Sequence, residues 1–442
     1  MTRDSHVTCS VTYKQTAFNR LHFLLLLLFI TVFHTVGLFA QIKTGNELTV
    51  AGVRPPDARP IPGRPLEMRR PYGIDQSPAF KGQTRARAYI TKALYYEAVM
   101  TSSLKHPWGI DFLPDGRMII TEKQGSLRIV TQAGVLRDSV RGMPSDILYG
   151  GDAGLLDIAV DPEFTRNRKI YFSYAQKREN GSGLVVASAV LSRDDLYLEN
   201  IEIIYSVANT SRSLANYGSR LLFDKEGKLL VSTGDRLLED IRMQSQWLSS
   251  PLGKILRINR DGTPAEGNPV FADSINALPE IWAYGLRNPQ GLAFNPATGE
   301  LWADEHGAQG GDEINIIYPG KNYGWPVIAY GMEYTWEQIG EGLTSKDGMV
   351  QPIYFWDLAV APSGCTFYSG KLMKEWKNNL LIAALAGQHL VRLVIENNKV
   401  VGEERLLLPQ HQRIRDIAEG PDGALWVITD SDTGRLIRIT PR

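Results

Sequence analysis

The stretch IDFLPDGRMIITEKQGSLRIV, Ile110–Val130, decides the fold. Two apolar, β-rich runs flank Pro114-Asp115-Gly116, and a third run follows Gly125. Asp-Gly between such runs is the strongest short-range hairpin signal in a sequence. The pattern recurs as IAVDPEFTRNRKIYFSYA from Ile158, LLFDKEGKLLVSTGDR from Leu221 and LAFNPATGELWADEHG from Leu292. It returns as IAEGPDGALWVITDSDTGRLIRIT from Ile417, with a more divergent copy, NNLLIAALAGQHLVRLVI, from Asn378. Helical periodicity is nearly absent, which excludes α-solenoids. Copies about 40 to over 70 residues apart suit four-stranded blades with insertions. The expected class is all-β, a six-bladed β-propeller over residues 91–442. Two β-sandwiches are the alternative, but they give no reason for six similar hairpins.

The rest of the chain sets the context. Its 442 residues are 43% hydrophobic and 22% charged, ordinary for a globular protein. Formal net charge is zero, and no block of like charge marks a nucleic-acid or membrane-surface partner. Arg3, Lys14 and Arg20 precede an apolar stretch, Leu21–Ala40. Residues 1–40 are read as a cleaved signal peptide, giving an exported protein, periplasmic or secreted, with no membrane attachment after cleavage. An uncleaved anchor is the other reading, because the stretch is about long enough to span a bilayer. Cys9 lies in this leader, so Cys365 is left without an intrachain partner. Residues 41–90 include VRPPDARPIPGRPLEMRRP, Val53–Pro71, and are expected to be a Pro-rich, disordered linker.

The densest functional signal is IWAYGLRNPQGLAFNPATGELWADEHGAQGGDEINIIYPGKNYGWP, Ile281–Pro326. Gly310-Gly311 followed by Asp312-Glu313 reads as a tight loop offering oxygen ligands to a hard cation. Arg287 and Asn288 offer donors to an anionic or carbonyl-rich group. The candidate segments are Gly151–Gly154, Asn216–Arg220, Arg287–Asn288, Glu305–Glu313, Tyr323, Tyr334 and Arg413–Arg415. They precede or follow the repeat hairpins, where the mouth loops of a propeller belong.

Seven pieces carry a resemblance: HPWGIDFLPDG (106–116), GLLDIAVDPEF (154–164), YGSRLLFD (217–224), LGKILRIN (252–259), the 281–326 stretch, APSG (361–364) and RIRDIAEGPDG (413–423). In this order they resemble the soluble pyrroloquinoline quinone (PQQ)-dependent glucose/sorbosone dehydrogenases, in particular the aldose sugar dehydrogenase branch. That resemblance implies a six-bladed propeller whose mouth holds the quinone over calcium and oxidises a sugar CH–OH group. It assigns Arg287, Asn288 and Tyr334 to the cofactor, and Arg413 and Arg415 to its carboxylates, a task suited to the guanidinium fork. It assigns the carbonyls of Gly307 and Ala308 to the quinone-bound calcium, although relatives usually carry Pro at the second position. Glu313 and Tyr323, with Asp312 adjacent, match a second calcium site. His106 and His306 belong to the matching motifs without being assigned as ligands. The sugar would be the substrate; the sequence does not identify the electron acceptor.

Three positions depart from the family pattern. Asn216 stands where the family has its proton-accepting His, and Ala215 lacks the carboxylate that some relatives place beside it. Asparagine has no usable basicity. Asp152 replaces a cofactor-contacting Gln, and Ala386 a cofactor-reaching Lys, so both changes oppose an anionic quinone. Asp152 is also the candidate substitute base. The expected function is a sugar dehydrogenase of weakened or altered activity. The alternatives are a non-catalytic calcium-containing propeller that binds carbohydrate or protein and, with less support, a metal-dependent hydrolase such as a lactonase.

Overall fold

The computed structural model describes residues 61, 63–272 and 275–442. The expected signal segment and the first part of the Pro-rich segment lie outside these residues. Strand β1 (Tyr95–Leu104) comes first in the chain and closes the ring. The remaining strands form six antiparallel sheets in chain order. Blade 1 holds β2 (Pro107–Phe112), β3 (Met118–Glu122) and β4 (Ser126–Val130); blade 2 holds β5 (Leu155–Val160), β6 (Lys169–Arg178), β7 (Gly181–Leu191) and β8 (Leu198–Ser206). Blade 3 holds β9 (Gly218–Phe223), β10 (Leu229–Thr233), β11 (Lys254–Ile258) and β12 (Ile281–Tyr284). Blade 4 holds β13 (Pro289–Phe294), β14 (Leu301–Glu305), β15 (Asp312–Ile317) and β16 (Tyr354–Trp356). Blade 5 holds β17 (Pro362–Phe367), β18 (Leu380–Ala384), β19 (His389–Glu396) and β20 (Lys399–Leu406). In blade 6, β21 (Ile414–Glu419), β22 (Leu425–Thr429) and β23 (Gly434–Pro441) pair with β1 as the outer strand. The chain is a six-bladed β-propeller, closed by pairing its first described strand with its last.

Four of the inner hairpins turn by the chemistry their sequence announces. Gly116, Gly227, Gly299 and Gly423 all adopt positive φ, a conformation that a Cβ disfavours. The turn amides are bonded as well, Gly116 to the Leu113 carbonyl and Gly423 to the Gly420 carbonyl, both at 2.8 Å. The divergent copy differs for a physical reason. Asn378–Ile395 covers β18 and β19, the second and third strands of blade 5, whereas the other copies cover the first and second. The inner turn of blade 5 runs through Tyr368–Asn379 with a short 3-10 helix, and it carries no Asp-Gly signal.

Apolar packing follows the ring. Six buried clusters lie between successive blades, such as Trp302 and Ile314 of blade 4 against Phe367 and Leu380 of blade 5. Burial at about 25 cal/mol per Å² of apolar area makes these interfaces the main stabilising term. The axis is polar. Arg220 of β9 bonds Asp157 of β5 and Asp416 of β21, each at 2.8 Å, and lies over the Trp108 ring at 4.6 Å. Gly364 of the APSG motif is required beside this cluster, because a Cβ there would lie 1.5 Å from Asp416 Oδ1.

The Pro- and Arg-rich segment read as a spacer has specific contacts from residue 63 onward. Pro65 bridges Arg87, Ala88 bridges Glu403 of β20, and Arg85 pairs with Asp357 at 2.5 Å. Gln83 is fully buried and donates to the Pro352 carbonyl at 2.8 Å.

Candidate functional site

In an antiparallel hairpin, the residues before the first strand and after the second meet at the end opposite the turn. Asp152, Asn216, Arg287, Asn288 and Arg413 precede inner strands; Lys123, Asp235, His306 and Asp430 follow second strands. The fold therefore gathers them at one mouth, away from the Asp-Gly turns.

The Asn216 position is tightly built. Asn216 is buried, with φ of 51°, a left-handed conformation that Asn tolerates better than most residues. Its backbone N–H donates to Asp152 Oδ2 at 3.1 Å, and its Nδ2 donates to Asp235 Oδ1 at 2.8 Å. Asp235 also accepts from Trp325 Nε1 at 2.8 Å and from the Leu237 amide at 2.8 Å. Arg236 stacks on Tyr217 at 3.6 Å and donates to the Ala215 carbonyl at 3.1 Å, fixing the loop that presents Asn216. Asp152 itself is exposed.

Arg287 and Asn288 stand beside it. Asn288 Oδ1 accepts from the Gly218 amide at 3.0 Å and from Gln290 Nε2 at 3.2 Å, so its Nδ2 is turned toward His306 Nδ1, 3.5 Å away. His306 Nε2 bonds the Pro362 carbonyl at 2.7 Å. Burial, reinforced by Arg287, pushes the imidazole down to about 4, so it is neutral at physiological pH. Arg287 donates to the carbonyls of His306 at 3.2 Å and Gly307 at 2.7 Å, and reaches the Tyr334 hydroxyl at 3.4 Å. The Gly307 carbonyl assigned to calcium is thus held by a guanidinium here.

On the far side of the mouth, Asp430 organises the cations. It accepts from Arg415 at 3.0 Å, lies 3.5 Å from Arg413 Nε, and bonds His106 Nδ1 at 2.8 Å. Lys123 donates to the Gly151 carbonyl at 2.6 Å, next to Asp152, and burial lowers its pKa. Ala386 sits in the loop whose flanking amides, Leu385 and Gly387, bond the Ala361 and Val360 carbonyls.

Glu305 and Glu313 face one another across β14 and β15. Both line a cavity with Tyr323, Trp325 and Tyr330, with room for about one water-sized sphere, about 20 Å³. Burial pushes Glu305 up to about 7, and burial together with Glu305 pushes Glu313 well above its usual range. Two buried carboxylates in direct register need a proton or a cation between them. Asp312 does not line this cavity. Its carboxylate accepts the amides of Gly307, Val360 and Ala361 at 2.8, 2.7 and 2.8 Å, which makes it an anchor of the acidic loop. Successive strand residues point to opposite faces, so Asp312 and Glu313 serve opposite sides of β15. The Tyr323 hydroxyl is committed to the Ile316 carbonyl at 2.6 Å and the Tyr318 amide at 2.8 Å, so what it can offer a cation is its main-chain oxygen. The Ala308 backbone pairs with Gly310 in the same loop.

The residues present fit a flat, anionic, oxygen-rich group. The buried Nε atoms of Arg287 and Arg415 have no hydrogen-bond partner among the described residues, a costly state for a buried donor. A carboxylate or quinone oxygen would supply one. No local motif marks Asp235, Lys123 and Asp430, because their partners come from other strands and blades.

The sequence pattern of the Glucose / Sorbosone dehydrogenase family matches residues 104–438. The aldose sugar dehydrogenase of Escherichia coli is 36% identical over 78% of this chain and 92% of its own length. Its soluble apo-form structure has a TM-score of 0.75 at 35% identity, covering 79% of this chain and 100% of that one. A crystal structure of a glucose dehydrogenase is 38% identical, with a TM-score of 0.74 and coverage of 78% and 99%. The PQQ-bound aldose sugar dehydrogenase of Streptomyces coelicolor, 24% identical over 80% of this chain and 100% of its own, shares the fold with a TM-score of 0.64. Repeat order, blade count and matched motifs agree: this chain belongs to the glucose/sorbosone dehydrogenase family.

Proposed function

We propose that this chain is an exported, calcium-containing quinoprotein that oxidises a CH–OH group of an aldose at the propeller mouth. The observation that carries this reading is the pair of buried, unpartnered guanidinium donors, Arg287 Nε and Arg415 Nε, within one mouth. Arg413, 45% exposed at its side chain, adds a rim charge. Asn288 Nδ2 and Lys123 add further donors for an anionic group. Export rests on the basic and apolar pattern of residues 1–40.

When bound, the quinone supplies the two-electron acceptor for the sugar carbon. The chain's own residues then have two tasks. Arg287, Asn288, Arg413 and Arg415 hold and orient the anionic group, while Glu305, Glu313 and the main-chain oxygens of Gly307, Ala308 and Tyr323 suit calcium. The sugar's hydroxyl proton must go to a base, and Asn216 cannot take it. Asp152, exposed and one residue contact away, is the acceptor we assign to it.

The test is reconstitution with calcium and PQQ, followed by absorbance titration and reduction of an artificial acceptor across an aldose panel. Quinone uptake with measurable sugar-dependent reduction is the expected result. The absence of both uptake and turnover would overturn the proposal. Asn216, locked to Asp235 and without basicity, favours a second reading, a calcium-containing propeller that binds carbohydrate without oxidising it. Sugar affinity with no dye reduction at any pH would select that reading.

A further inference from the structure

The loop that carries Tyr334 into the mouth is held from outside the family-matched region. Gln76 grips Gly331 through both of its amide atoms: Nε2 donates to the Gly331 carbonyl at 2.8 Å, and Oε1 accepts the Gly331 amide at 2.7 Å. Gly73 is required beneath it, because a Cβ there would lie 2.1 Å from Gln76 Oε1. Tyr72 meets Trp336 edge to face, with ring centroids 5.2 Å apart at 86°. Tyr72 also lies over Gly310 of the acidic loop, its Cδ2 3.4 Å from where a Cβ would stand. One segment therefore touches both loops that shape one side of the mouth.

Those two loops are themselves joined. Gln309 and Met332 exchange two backbone hydrogen bonds, of 2.9 and 3.0 Å. From Gly331 the chain runs through Glu333, paired with Arg242 at 2.5 Å, to Tyr334, which meets Arg287. Tyr334 is 38% exposed and Trp336 49% exposed, so neither is fixed by burial in a core. The contacts that hold this loop come from Gln309, Arg242, Arg287, Tyr72 and Gln76.

We infer that residues 63–90 form a strap that runs along the outer edge of blades 4 and 5 and reaches one side of the propeller mouth. In it, Tyr72 and Gln76 are positioning residues that set the Gly331–Trp336 loop, and through Tyr334 and Arg287 the site for a flat anionic ligand. The strap's other contacts, Gln83 to Pro352 and Arg85 to Asp357, anchor it on blade 4 and the loop that follows. Aromatic edge contacts and paired hydrogen bonds to backbone restrict a loop without touching the ligand. The ligand in this inference is that of the proposed function, so the test reads the loop separately from the ligand.

The experiment compares full-length wild type, Tyr72→Ala with Gln76→Ala, and Arg87→Ala by hydrogen exchange and by PQQ titration in calcium. Arg87 bonds the Val401 carbonyl, in blade 5, at 3.0 Å and controls for general loosening of the segment. The expected result is faster exchange in peptides covering 307–311 and 331–337 in the double variant alone, with quinone affinity lowered about tenfold. Unchanged exchange in both loops overturns the inference. So does faster exchange with unchanged affinity. If wild type takes up no quinone, the proposed function fails while exchange alone still decides whether the strap sets the loops.

Discussion

Asn216 Nδ2 donates to Asp235 Oδ1 at 2.8 Å, while Asp235 Oδ2 accepts the indole N–H of Trp325. An amide so placed donates to Asp235 but has no basic nitrogen, whereas an imidazole there would offer a second, proton-accepting nitrogen. Histidine tolerates the left-handed conformation at 216 almost as well as asparagine. Asn216→His is therefore expected to raise kcat by about 10²–10⁴-fold, the usual worth of a positioned base. Steady-state dye reduction with aldoses checks it. Adding Asp235→Asn should remove most of the gain, because the ring would lose its orienting carboxylate.

Asp152 is the exposed carboxylate at that position, with Oδ2 accepting the Asn216 backbone N–H at 3.1 Å. If it accepts the sugar proton in the natural chain, Asp152→Asn lowers residual kcat by about 10²-fold while leaving quinone affinity equal or better. The second half of this expectation follows from charge: removing an anion favours an anionic ligand. Unchanged turnover would return the base to an unidentified group or to water.

His106 supplies a pH test on stability. Its hydrogen bond to Asp430 holds the imidazole above its ordinary value, and the Asp430 and Asp432 charges add to this. The folded state thus binds the proton more tightly than the unfolded chain. The stabilisation is fully present below an unfolded pKa of about 6.5 and is lost as pH rises through the folded value. His106→Ala should lower Tm by a few degrees at pH 6, with the gap narrowing toward pH 9. A gap independent of pH would mean that the ring contributes by packing alone.

Arg220 ties three blades at the axis through Asp157 and Asp416. All three side chains are at least nine-tenths buried. Removing the cation strands two carboxylates in a poorly solvated interior. Arg220→Ala is expected to cost about 3–5 kcal/mol in chemical denaturation. A loss below about 1 kcal/mol would mean that water reaches the axis and solvates the pair.

The propeller was legible because its information is local. A Pro-Asp-Gly turn needs a few adjacent residues, and Gly116 and Gly423 sit where the structure needs positive φ. Blade 5 was legible only one strand out of register, since its inner turn is long and lacks that signal. Arg287, Asn288 and Tyr334 were singled out because the family motif places them, and Glu305 because it opens the acidic Gly-rich stretch to Glu313. Asp235 and Asp430 were not, because their contacts arise from strand ends meeting across blades. Asp312, next to Glu313 in sequence, serves the opposite side of the strand, where its carboxylate holds three loop amides. The segment from residue 63 onward looked like a spacer because its anchors, Gln76 and Gln83, bond main-chain groups and need no apolar pattern.

Glu305 and Glu313 provide the calcium test. They are opposed across one strand pair, and Asn315 Nδ2 bonds both, at 3.0 and 3.2 Å. The Asn315 amide and the Arg287 backbone N–H, which donates to Glu305 Oε2 at 2.6 Å, are neutral and do not offset two buried charges, so a divalent cation in the adjoining cavity should stabilise the fold strongly. A protein that binds calcium only when folded gains stability with ligand concentration, about 2.7 kcal/mol at one hundred times Kd. Stripping with chelator should lower Tm, and calcium, but not magnesium at equal concentration, should restore it, because main-chain oxygens and two carboxylates suit the larger ion. Glu313→Gln should remove most of the calcium-dependent gain while raising the Tm of the stripped protein, since it relieves the carboxylate pair. A calcium response of the same size in Glu313→Gln would place the ion elsewhere in the mouth, at the carbonyls of Gly307 and Ala308.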